Sequence, residues 1–188
     1  GSGLVHAEIS PEEFKRSGGP LEFLQLWLNL PARLKMTPPR YIGLQGNQIP
    51  ALEIDDGKVI VHLVSGDFRD HTGAIDSLTG AMMSSVDMKP GARVVFDRLD
   101  GRDVFLYIVR GEVSVSDMPV DPETLVELSK DGDAVQITAR TGAALLFGHA
   151  NPIDEPVVSH GPFVMNTRAE IEQAIRDYQA GRFDAPAG

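Results

Sequence analysis

The sequence predicts an all-β protein closed by one C-terminal α-helix. Two observations carry that reading. From residue 59 to residue 147, seven short runs with strand character are separated by Gly-containing turns. After them, one segment repeats its apolar residues at helical spacing. Short strands in that number and at that spacing imply a β-sandwich or β-barrel.

Taken from the start, residues 1–9 (GSGLVHAEI) read as a strand. Leu4, His6 and Glu8 would share one face, and Val5, Ala7 and Ile9 the other. Residues 10–20 (SPEEFKRSGGP) read as a polar loop ending in a breaker. Residues 21–31 (LEFLQLWLNLP) alternate strictly, which predicts a strand with Leu24, Leu26, Leu28 and Leu30 in a core. Its other face carries Phe23, Gln25, Trp27 and Asn29. That face either lines a polar cavity or faces solvent. Pro31, Pro38 and Pro39 bound a connector that cannot stay regular for long.

The strand signals that follow are 59–64, 84–88, 93–96, 104–109, 112–115, 134–138 and 144–147. Asp56-Gly57, Pro90-Gly91, Asp100-Gly101, Arg110-Gly111 and Asp131-Gly132 mark turns between them. The chain then reaches Thr167-Arg168-Ala169-Glu170, a capping box with Thr167 as N-cap. Ile171, Ala174, Ile175 and Tyr178 follow as one apolar stripe, and Gly181 suits the C-terminal cap. The helix is expected to lie against the barrel, and the tail at 184–188 to fray.

Composition narrows the function. With 42% apolar and 23% charged residues, the chain has the make-up of a globular domain. No run approaches the ~20 apolar residues of a membrane span. There is no Cys, which removes disulfides and thiolate metal sites and favours a cytoplasmic protein. The net charge of −10 repels phosphate backbones, so no nucleic-acid partner is expected.

Few residues offer chemistry. His62 lies in the apolar run VIVHLV and reads as a core or edge histidine, and His71 as a solvated one. His149 and His160 flank the constrained loop Asn151–Pro156. No phosphate-binding loop, dinucleotide fingerprint or nucleophile elbow occurs. What remains is His6-x-Glu8, an imidazole and a carboxylate on one face of a strand. Two such groups can grip one metal ion, but redox metals usually take three or more protein ligands.

Several blocks together resemble the pirin family of the cupin superfamily. They are GSGLVHAEIS, LQLWLNLPARLKMTPPRY, IPAL, KPGARVVF, NPIDEPVVSHGPFVMNT and EIEQAIRDY, in the family's order and spacing. The resemblance implies two cupin-type antiparallel β-barrels, the first truncated here. On that reading, residues 1–45 are a remnant of the N-terminal barrel with its connector. Residues 46–166 are a C-terminal barrel without a metal site, and 167–188 are the helix and tail. No histidine follows the Pro90-Gly91 turn at the positions where a metal-binding cupin carries them.

The resemblance also implies a site. His6 matches the family's third histidine ligand and Glu8 its glutamate ligand, for one Fe2+ per complete protein or another divalent metal. The family's other two histidines would precede Gly1. Quercetin 2,3-dioxygenase-type activity on a flavonol or similar aromatic is implied, with Glu8 as ligand and proton acceptor. Gln25, Trp27 and Asn29 are further pocket candidates. The alternative is a non-enzymatic, redox-sensing module that binds transcription regulators or other proteins. The 188 residues alone are expected to hold iron weakly, and to associate through exposed strand edges or with a missing N-terminal part.

Overall fold

The structure is a computed structural model and describes residues 1–183; the expected fraying at 184–188 lies outside the described residues. The chain forms two compact units. One joins residues 1–43 to the chain from 153 onward, and the other is residues 44–152.

The first unit begins with the largest departures from expectation. Residues 1–9 are extended but form no strand, with a single bridge position at Leu4. Residues 12–17 form helix α1 (Glu12–Ser17) where a loop was expected. It carries no apolar stripe, which is why periodicity missed it. Charge supports it instead: Glu12 and Glu13 occupy the first turn, and Lys15 and Arg16 the last, as the helix dipole favours. Lys15 pairs with Glu12 at 2.6 Å, and Gly18 at φ 64° ends the helix. A second short helix, α2 (Ala32–Lys35), follows Pro31.

Residues 21–31 form no strand either, and their leucines are not in a core. Leu24, Leu26 and Leu28 are 45%, 42% and 55% exposed, and Trp27 on the opposite face is 61% exposed. Alternation states which side chains share a face; it does not supply the neighbouring strand whose hydrogen bonds make a sheet. Among the described residues, none pairs with this segment.

The second unit is the expected antiparallel barrel. Its strands are β1 (Ala51–Ile54), β2 (Val59–Ser65), β3 (Asp67–Phe68), β4 (His71–Thr72), β5 (Met82–Met88) and β6 (Arg93–Asp97). They continue with β7 (Asp103–Arg110), β8 (Val113–Val115), β9 (Met118–Val120), β10 (Thr124–Leu128), β11 (Ala134–Ala139) and β12 (Ala143–Ala150). Six pair in the order β1-β2-β5-β12-β7-β10, four in the order β6-β11-β8-β9, and β3 pairs with β4. All seven expected strands are present. Those missed are short or lie on an edge. β8 and β9 turn on Ser116 and Asp117, both at positive φ, a tight hairpin without the Gly that would have signalled it.

Alternation fills the interior. In β2, Val59, Val61, Leu63 and Ser65 are buried while Ile60, His62 and Val64 are partly exposed. At the centre Phe96 and Phe147 stack with ring centroids 3.7 Å apart, and Phe68 lies 5.0 Å from Phe96. Aliphatic side chains such as Leu63, Leu106, Ile137 and Leu145 close around them. The centre of the barrel is thus filled with hydrocarbon.

The first unit closes with β13 (Val158–His160), β14 (Phe163–Met165) and α3 (Arg168–Gln179). Both ends of α3 are capped as the sequence predicts. The Glu170 backbone N–H donates to Thr167 Oγ1, and the Glu170 carboxylate accepts from the Thr167 hydroxyl and the Asn166 backbone N–H. Gly181 at φ 68° lets its own N–H reach the Tyr178 carbonyl and the Arg182 N–H reach Asp177, a complete Schellman motif. The helix packs on the β13–β14 hairpin, where the rings of Phe163, Tyr178 and Phe183 lie edge to face at 5.6–6.2 Å.

Candidate metal centre

His6 and Glu8 lie side by side without a strand to align them. Extended backbone suffices, because residues two apart point the same way. His6 Nδ1 is 3.5 Å from Glu8 Oε1, and the two side chains are 50% and 63% exposed. Gln25 joins them, its Nε2 donating to Glu8 Oε1 at 3.1 Å. The structure thus assembles one imidazole, one carboxylate and one amide in an open setting.

The donor set suits a divalent metal in kind and falls short in number. Imidazole nitrogen and carboxylate oxygen are the ligands that iron and its neighbours accept. Among the described residues, however, no group of three or more His, Asp or Glu side chains is placed to hold an ion. Of the other pocket candidates, Asn29 accepts a hydrogen bond from Lys35 Nζ at 2.5 Å, and Trp27 is exposed.

Lys35 was not singled out from sequence, and no motif marks it. It is 6% exposed, and burial pulls its ammonium below the ordinary lysine value while Glu155 and Glu170 oppose that shift. Glu155 Oε2 accepts from the Ala32 backbone N–H and from Asn166 Nδ2, tying α2 to the start of α3. Through these bonds Asn166 fixes the return of the chain into α3.

The barrel holds the remaining polar site. His62, on the partly exposed face of β2, has its Nε2 3.4 Å from Asp87 Oδ2, and His71 is exposed. His149 is different. Its Nδ1 accepts from Arg102 Nε at 2.6 Å, while Arg102 also donates to Asn151 Oδ1 and to the Gly80 carbonyl. Burial first, and then the Arg102 charge, hold its pKa down to about 4.

A pH dependence follows. The folded pKa lies below the ordinary 6.5, so the unfolded chain takes up the proton first as pH falls. Stability from this contact is present above pH 6.5 and is lost as pH falls toward 4. Partial exposure screens the effect to about 1–2 kcal/mol. Urea midpoints are expected to fall from pH 6.5 to pH 4.5, and to fall less in His149→Gln, which keeps an acceptor but does not titrate. Equal falls in both proteins would remove His149 as the source.

Known proteins bear on these sites. The family model of the pirin C-terminal cupin domain matches residues 83–184, a span that contains His149 but not His6 or Glu8. A Pseudomonas aeruginosa protein provisionally named quercetin 2,3-dioxygenase is 35% identical over 182 residues, covering 97% of this chain and 64% of its own. A pirin-like protein of Caulobacter vibrioides is 39% identical over 187 residues, covering 97% and 65%. The crystal structure of a quercetin 2,3-dioxygenase from Acinetobacter baumannii superposes with a TM-score of 0.79 at 29% identity, over 84% of this chain and 55% of that one. The chain spans less than two thirds of the length of each of these proteins. Among the described residues, no helix is long and apolar enough to cross a membrane.

Proposed function

Because the chain belongs to the pirin family of cupins, we propose that it serves an iron-binding cupin with quercetin 2,3-dioxygenase-type activity. The observation that carries this is the convergence of His6, Glu8 and Gln25 from two segments 17 residues apart. His6 and Glu8 would hold the metal, together with further ligands beyond this pair. Bound there, iron supplies Lewis acidity toward a flavonol's oxygens and redox chemistry toward dioxygen.

The chain's own groups do the rest. Glu8 would serve as a ligand and as acceptor of the proton of an acidic substrate hydroxyl, with Gln25 Nε2 donating to its Oε1. His6 would supply the imidazole ligand, its Nδ1 lying 3.5 Å from Glu8 Oε1. The 44–152 barrel contributes support, since its interior is filled by Phe96, Phe147 and their neighbours.

The test is iron content and quercetin turnover of the full-length protein, with Glu8→Ala as control. About one iron per chain, with turnover that the substitution abolishes, is expected. Iron binding without turnover would favour a second reading, a redox-sensing module that binds other proteins. The exposed apolar run Leu21–Leu28 favours that reading as a contact surface. No iron at all would remove both.

A further inference from the structure

We infer that a groove on the outside of the 44–152 barrel binds a small organic anion, one with an apolar body and a carboxylate group. The groove has a volume of about 380 Å³, within the roughly 300–1,000 Å³ of small-molecule sites. It is built wholly from barrel residues and uses neither His6 nor Glu8. The metal reading and this one therefore stand or fall separately.

The topology explains where the groove lies. In the sheet order β2-β5-β12-β7, antiparallel neighbours bring the start of β2, the end of β5, the start of β12 and the end of β7 together. Three of these four strand ends carry a cation: Lys58 precedes β2, Lys89 follows β5, and Arg110 closes β7. The chain enters β12 through Gly142 and Ala143, whose small size leaves a hollow between those long side chains. Ile60 and Met88 complete an apolar wall with Ala143.

The charge in this groove is opposite to that of the whole chain. Three cations against one carboxylate, Asp87, leave a local excess of two positive charges on a chain whose net charge is −10. Asp87 is already answered within the barrel. Arg110 Nη2 lies 3.4 Å from its Oδ1, and His62 Nε2 lies 3.4 Å from its Oδ2. Lys89 Nζ donates to the Gly57 carbonyl at 3.0 Å, a neutral acceptor that holds the ammonium in place without cancelling its charge. Lys58 is exposed and forms no ion pair among the described residues.

These contacts select the ligand class. Exposed charges act over about 8 Å at physiological salt. A small anion in the groove thus meets the lysines, whereas a long polyanion meets the acidic surface as a whole. The apolar wall favours an anion with a hydrocarbon body over inorganic phosphate. An aromatic carboxylate has both parts.

The test is titration of the isotope-labelled full-length protein with naphthoate at low salt, followed by amide NMR shifts. Saturable shifts at Lys58, Lys89, Gly142 and Ala143 are expected. The Lys58→Gln/Lys89→Gln double variant should weaken naphthoate binding by roughly 5-fold, and so should replacing naphthoate by uncharged naphthamide. Both lysines are exposed, so the rest of the amide spectrum should match wild type. An absence of shifts, or shifts that map elsewhere, would overturn the site. Equal binding of naphthoate by the double variant, or equal binding of naphthamide by wild type, would overturn the role of the charges. Inorganic phosphate that binds as tightly as naphthoate would overturn the ligand class.

Discussion

Phe147→Ala is expected to destabilise the 44–152 barrel by about 3–5 kcal/mol, a fall in melting temperature on the order of 10 °C. The side chain is wholly buried, and its ring stacks 3.7 Å from that of Phe96 with only 10° between the planes. Removing it forfeits the burial of a full aromatic side chain and leaves a void. The barrel cannot close that void, because Phe147 sits on β12, paired on both sides with β5 and β7. Phe147→Leu, which keeps most of the volume, should cost under half as much. Calorimetry of the two variants beside wild type decides the matter. A loss below about 1 kcal/mol in Phe147→Ala would mean the interior is loosely filled, reopening the barrel as a place for a ligand.

Gly111→Ala is expected to cost about 2–4 kcal/mol, since two penalties coincide. Gly111 has φ 79°, which a residue with a Cβ adopts at a cost of about 1–2 kcal/mol. A Cβ there would also stand 2.2 Å from the Gly142 carbonyl oxygen and 2.7 Å from Ala143 Cα. Both are backbone atoms, so no side chain can swing aside. The backbone has to part where β7 hands over to β8 and where β12 begins, beside the register shift at Ala144/Leu145. Gly101→Ala is the control, at φ 67° with open space around it, and should show the conformational cost alone. Equal losses at the two positions would mean that the crowding at Gly111 is relieved at little cost.

The barrel was legible because its information is local. In β2, β7 and β11 the buried residues alternate one by one, and Asp56, Gly57 and Gly111 adopt the positive φ angles that turns require. The α3 helix was legible for the same reason, with Thr167, Glu170 and Gly181 writing its two ends into the chain. Helix α1 escaped because its support is charge rather than an apolar stripe. The segments at 1–9 and 21–31 misled because alternation is a property of one strand and a sheet is a property of two. His6 and Glu8 were found by residue type and resemblance, and their 3.5 Å proximity needed only extended backbone.

What the sequence determined by itself was therefore the all-β class, the capped helix, and the placing of His6 and Glu8 side by side. Tertiary structure decided three further things. It closed the barrel around the stacked rings of Phe96 and Phe147, and it set Arg102 against His149 across 47 positions of sequence. It also brought Gln25 to Glu8. Each of these depends on which distant segments the fold makes neighbours. Propensity and periodicity act over a few residues, whereas a hydrogen bond between side chains far apart in sequence exists only once the chain has closed on itself.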